Sequence, residues 1–151
     1  MLKLMYITNS PEVASIADGA GVDRIFIDLE QYGKEKRQKN WDSVKSKHSI
    51  SDIPKVKSAV KNAQIFVRTD PIFDGFSDEL EGVLACEPDV VMLPYFKTVR
   101  EVETFIKAVD GRATTSLLLE TKEAAEQIDD IISVGGIDEI RCRPVQMPRA
   151  G

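Results

Sequence analysis

Four charged side chains stand where short apolar runs end, and their types suit chemistry on an anionic, carbonyl-bearing molecule. Asp28 and Glu30 follow Arg24–Ile27, Arg68 follows Ile65-Phe66-Val67, and Glu120 follows Leu117-Leu118-Leu119. Arginine presents a planar fork of donors that matches a carboxylate or an enolate oxygen. A glutamate at such a place is a natural ligand for a hard divalent cation. An ionised group beside a core costs several kcal/mol unless it is paired or bound to an ion, so these charges need partners. The plain alternative is that Arg68 pairs with Asp28, Glu30 or Glu120 and does nothing more. His48, the only histidine, is a further candidate.

The elements that must position these residues are legible as pattern. Apolar, β-branched runs recur at Leu2–Ile7, Arg24–Leu29, Gln64–Thr69, Asp89–Leu93, Thr114–Leu119 and Ile137–Cys142, each reading as a buried strand. Five stretches of helical spacing lie between them, around Val13–Ala20, Ile53–Val60, Leu80–Leu84, Val102–Val109 and Ala124–Ile131. Ser10-Pro11 reads as an N-cap followed by a proline at the first helical position. Thr98 and Glu101 make a capping box, Thr121 caps the next helix, and Gly21 and Gly111 mark helix ends. Strand and helix alternate six to five, which requires a parallel sheet. In such sheets sites lie at the C-terminal strand edges, which is where Thr8, Asn9, Asp28, Glu30, Arg68, Asp70, Pro94, Lys97 and Glu120 converge. The one long connection, Gln31–Ser49, is rich in charge and reads as a solvated insert or as a lid over that edge.

Two architectures share this alternation, an open doubly wound sheet and a (β/α)8 barrel. Length favours the first, because a full barrel needs about 250 residues and the chain has 151.

Composition narrows the function. The 20 basic and 25 acidic residues give a net charge of −5, against nucleic acid as a partner. No apolar run approaches the roughly 20 residues of a membrane span, and the N-terminus has no export leader. Cys86 and Cys142 are far apart, which fits a reducing cytoplasm and no disulfide framework. No dinucleotide, P-loop or nucleophile-elbow motif occurs, and a single histidine excludes a multi-histidine metal site. A phosphoacceptor receiver domain would want acidic residues after the first strand and a lysine after the fifth, where Thr8-Asn9 and Glu120 stand.

Four runs in order, Val22-Asp23-Arg24-Ile25-Phe26-Ile27-Asp28-Leu29-Glu30, Val67-Arg68-Thr69-Asp70-Pro71, Val90-Val91-Met92-Leu93-Pro94 and Leu117-Leu118-Leu119-Glu120-Thr121, resemble the HpcH/HpaI aldolase and citrate lyase β-subunit family. The resemblance covers about Met1–Ile140. It implies a partial (β/α)8 barrel whose strands seven and eight are missing. It also implies magnesium or another divalent ion as cofactor, and carbon–carbon bond cleavage next to a carbonyl. The implied substrates are 2-oxo acids or acyl-CoA thioesters, and the full-length family is commonly homo-oligomeric. Glu120 matches the metal-binding glutamate and Arg68 the arginine on the substrate oxygen. Asp28 and Glu30 match the D-x-E that serves the metal-bound water or the active-site network. Gln31 stands where pyruvate-type aldolases have the histidine base and the citrate lyase branch an acidic residue, so His48 would have to reach back from the long loop. A surface histidine at a helix approach is its ordinary alternative.

The family's second carboxylate ligand follows strand six, where this chain has Arg141–Gly151, a basic, proline-bearing tail. The expectation is therefore a truncated barrel domain over 1–140 and an atypical tail over 141–151, from truncation or a shifted reading frame. Three readings stand. One is a metal-dependent lyase inactive at this length, another a non-catalytic open-sheet binding module, and the third a partly folded product that associates through its edges.

Overall fold

The structure, a computed structural model, describes residues 2–31 and 47–144. Strand β1 is Met5–Ile7 and helix α1 is Pro11–Gly19; β2 is Arg24–Asp28 and α2 is Asp52–Ala59. Then come β3 (Gln64–Arg68), α3 (Phe76–Ala85), β4 (Val90–Leu93) and α4 (Val99–Val109). The last elements are β5 (Thr114–Leu119), α5 (Lys122–Glu126), α6 (Ile128–Ile132) and β6 (Glu139–Cys142). All pairings are parallel and the strands lie side by side in chain order, β1 to β6. That order decides between the two architectures. A doubly wound sheet reverses direction at a switch point and carries helices on both faces. A sheet that only advances, with right-handed crossovers, puts every helix on one side and curls.

Side chains alternate accordingly. Ile25, Ile27, Ile65, Val67, Val91, Leu93 and Leu117 face the helices, packed on Ile53, Val56, Leu80, Val83, Val102 and Phe105. Fully burying each such side chain contributes about 1.5–3 kcal/mol. The other parity, Phe26, Phe66, Val90, Met92 and Leu118, forms a second, smaller cluster on the concave face. There Phe26 and Phe66 stack with ring centroids 4.9 Å apart. The curl itself is visible in Arg24 of β2, whose guanidinium grips the Glu139 carboxylate of β6 across the concavity. The fold is thus a half-barrel of six parallel strands, with six helices among the described residues.

The local signals hold at the helix starts. Ser10 accepts from the Val13 N–H, Thr98 and Glu101 close their capping box, and Thr121 accepts from the Ala124 N–H. Gly21 and Gly111 both take positive φ just past their helices. Three expectations change. The fifth helix is two short ones, broken at Gln127 (φ −111°, ψ 18°), whose side-chain amide donates to the carbonyls of Lys97 and Glu123. The first strand covers three residues rather than Leu2–Ile7, and neither it nor β6 is buried. Among the described residues each has one neighbouring strand, and Ile7 is 59% exposed. No helix among the described residues is long and apolar enough to cross a membrane.

Candidate functional site

Register places the charged strand ends on one rim. Asp28 pairs with Arg68 across β2 and β3, Arg68 with Met92, and Met92 with Ser116. Counting by twos from Ser116 carries the concave parity through Leu118 to Glu120. Arg68 lies 14% exposed in the centre of this row. Its Nε and Nη2 donate to Asp28 Oδ1 and Oδ2 at 3.0 and 2.7 Å, and its Nε lies 3.2 Å from Glu30 Oε2. Asp28 Oδ1 also accepts the Glu30 N–H, so the two acids are braced on each other. Underneath, the guanidinium carbon sits 5.4 Å from the centre of the Phe26 ring. Burial alone would lower the basicity of Arg68. The Asp28 bonds and the charges of Asp28, Glu30 and Glu120 outweigh it and hold the group above its ordinary value. One side of the guanidinium is therefore clamped, while Nη1 makes no hydrogen bond among the described residues.

Glu120 shares the rim without touching Arg68 within 4.0 Å; its Oε2 lies 3.8 Å from Arg143 Nη1. Its Oε1 accepts the backbone N–H of Tyr95, a residue held at φ +50° where the chain leaves β4. The carboxylate is thus fixed in direction and 11% exposed. As a hard oxygen donor it suits a divalent cation such as magnesium, which commonly takes one or two carboxylates and fills its shell with water and substrate oxygens. Asp28 and Glu30 are spent on Arg68, and no group of three or more His, Cys, Asp or Glu among the described residues could hold a metal. The described residues therefore fit one position of a metal site and do not complete it.

His48 is not the surface residue that its place in a charged loop suggests. It is 7% exposed, and its Nδ1 accepts the backbone N–H of Asp28 at 2.9 Å. Most of the long connection, residues 32–46, lies outside the described residues, and with it the choice between an insert and a lid. At the other end, Arg141 and Cys142 of the expected tail belong to β6, while residues 145–151 lie outside the described residues.

The structure adds residues that the sequence reading passed over. Glu79 on α3 lies against Asp70, and its Oε2 is buried with no hydrogen-bond partner among the described residues. Burial first, and the charge of Asp70 second, push its carboxyl up to about 7. Asp70 in turn accepts the Gln31 N–H at 2.6 Å. A signal existed: Glu79 interrupts the apolar stripe of Phe76, Leu80 and Val83 at helical spacing. Beneath the rim, Arg24 and Arg141 both stack on Phe66, at 5.7 and 5.4 Å.

The family model for HpcH/HpaI aldolase/citrate lyase matches residues 3–144. A comparison with curated protein sequences finds no match. Among solved structures, an HpcH/HpaI aldolase/citrate lyase family protein from Burkholderia cenocepacia J2315 shares the fold at TM-score 0.72 and 12% identity. That likeness covers 93% of this chain and 62% of the other. Phosphonopyruvate hydrolase in complex with oxalate and Mg²⁺ matches at TM-score 0.67 and 15% identity, over 96% of this chain and 59% of that one. QR15, an aldolase, matches at TM-score 0.62 and 15% identity, over 93% and 68%. The chain spans about three-fifths of the length of the first two. With the matched region reaching from the first strand through the last, the chain belongs to the HpcH/HpaI aldolase/citrate lyase family.

Proposed function

We propose that these elements belong to a carbon–carbon lyase of the aldolase type, acting on a 2-oxo acid or an acyl-CoA ester through an enolate. The observation that carries this reading is the clamped Arg68, with Nη1 unengaged among the described residues, on the same rim as the anchored Glu120. Cleavage sends the electron pair of the Cα–Cβ bond into an enolate whose charge lies on the carbonyl oxygen, while the β-hydroxyl gives its proton to a base and becomes the carbonyl of the departing fragment. Arg68 would hold the resulting enolate oxygen with a donor whose direction Asp28 and Glu30 have already set, at no cost in reorganisation. A divalent ion, magnesium in this proposal, would supply Lewis acidity to the carbonyl, with Glu120 as one ligand. The magnesium and oxalate of the phosphonopyruvate hydrolase structure support that choice of ion and of a small, two-carbon dianion as a ligand class. Association of copies belongs to the same proposal. Leu2 and Leu4 just before β1, Ile7 in β1 and Ile140 in β6 are apolar and exposed at the two sheet edges, which invite pairing.

The test is magnesium-dependent exchange of the methyl protons of pyruvate with solvent deuterium. The proposal expects exchange above a Glu120→Ala control, reduced about a hundredfold in Arg68→Lys, the scale on which one lost oxyanion donor is felt. Exchange no faster than in Glu120→Ala would defeat it.

A further inference from the structure

Asp28 ends β2 at a place where β1 no longer serves it. The ladder between the two strands closes with Thr8 donating to the Phe26 carbonyl at 3.2 Å. The next donor along β2, the Asp28 N–H, goes to His48 Nδ1 instead. An imidazole thus takes the rung that a strand carbonyl would occupy, inside a pocket that leaves it 7% exposed. The start of α2 delivers it there. Asp52, the first residue of that helix, accepts on Oδ2 from the Ser49 N–H and Oγ and from Asn9 Nδ2, tying the backbone next to His48 to the turn after β1.

Accepting at Nδ1 fixes the tautomer: in the neutral ring the proton sits on Nε2. It also fixes the peptide whose side chain grips Arg68. Asp28 Oδ1 and Oδ2 both bond the guanidinium, and Oδ1 bonds the Glu30 N–H as well, so a tilt of the Asp28 peptide would swing the whole fork. We propose that His48 is a positioning residue for Arg68, acting through the Asp28 backbone as a neutral Nε2–H imidazole. The catalytic consequence rests on the lyase reading above, whereas the clamp itself does not.

His48 is the only histidine, so a ¹⁵N-labelled sample of the full chain gives a single pair of imidazole signals. At pH 8 we expect an unprotonated Nδ1 and a protonated Nε2; the opposite tautomer overturns the proposal. Two further readouts compare wild type with His48→Leu and with His48→Asn, whose side-chain oxygen can stand near the place of Nδ1. In His48→Leu the Asp28 amide exchanges about fivefold faster, the ratio for one hydrogen bond of about 1 kcal/mol. The Arg68 Nε–H resonance moves with it, and His48→Asn restores both. An Arg68 signal that stays put while the Asp28 amide loses protection would reduce His48 to a local brace and overturn the proposal. If both readouts behave as expected but wild type shows no pyruvate exchange, the lyase reading falls and the clamp stands.

Discussion

A mutant cycle at Arg24 and Glu139 tests whether the sheet is curled, because only a curled sheet brings β2 and β6 together. The two residues are 115 positions apart, yet Arg24 Nη1 and Nη2 bond Glu139 Oε2 and Oε1 at 2.9 and 2.5 Å. The Arg24 side chain is 6% exposed and that of Glu139 is 26% exposed. Glu139→Gln removes the charge opposite a buried guanidinium and leaves it two neutral amide oxygens, the one introduced and that of Gln64 on Nε. Breaking a buried pair from one side costs about 3–5 kcal/mol. Partial exposure of Glu139 and the retained Gln64 bond reduce that to about 2–3 kcal/mol, or about 5–10 °C in Tm for a chain of this length. Arg24→Met with Glu139→Leu removes both charges and should recover to within about 1 kcal/mol of wild type. The sign with pH follows from Glu139. Its bonds to Arg24 hold it below its ordinary value of 4.5, with burial opposing and the charges of Arg24, Arg141 and Lys3 assisting. Its contribution is therefore full above pH 4.5 and is lost as pH falls through the lower, folded value. Urea unfolding at pH 7 and at pH 3.5 reads both effects. A coupling indistinguishable from zero at pH 7 would mean that β2 and β6 do not face each other, and the half-barrel would be wrong.

Other outcomes follow from the same structure. Glu79→Gln should stabilise the protein by about 1–3 kcal/mol at pH 8 and by nothing at pH 4. A carboxyl raised from 4.5 to about 7 favours the fold only while protonated, so the gain develops between those values in denaturant titrations. Asp18 accepts the N–H groups of Lys61, Asn62 and Ala63, chiefly Lys61 and Ala63, which hold it below its ordinary 3.8 against the effect of burial. Asp18→Ala should lower Tm above pH 4, with the deficit shrinking as pH falls below 3.8 and the wild-type carboxylate itself takes up a proton. Gly136→Ala should cost about 1–3 kcal/mol for its φ of +75°. A Cβ there also meets Ile106 Cγ2 at 2.8 Å, so the loss in urea unfolding should exceed that of Gly135→Ala, where nothing lies within 4 Å.

Much of the rim was legible because strand ends are punctuated by local chemistry. Runs of β-branched residues stop at Asp28, Arg68 and Glu120, and the caps at Ser10, Thr98 and Thr121 bound the helices that follow. The expected pairing of Arg68 with Asp28 and Glu30 is present, and it leaves room for a second task because an arginine has five donors. What stayed hidden depends on three dimensions. Strand order is invisible in the alternation itself, since a crossover reads the same whether the sheet advances or reverses. Arg24 and Glu139 each look like ordinary strand residues until the sheet curls. Asp18 sits in an unremarkable helical stretch and serves a turn more than 40 residues away. In sequence His48 reads either as a residue reaching back from the loop or as a surface histidine at a helix approach, whereas the rung left vacant by the short β1 draws it inward.

In the proposed lyase, Arg68 and Glu120 would grip one small dianion and its cation together. Calorimetric titration of oxalate in the presence of magnesium measures this directly on the whole chain, with Arg68→Lys and Glu120→Gln beside it. Binding should need the metal, weaken at least tenfold in Arg68→Lys, a loss of about 1.4 kcal/mol, and disappear in Glu120→Gln. Oxalate that binds equally well without magnesium, or with the same affinity in all three proteins, would contradict it.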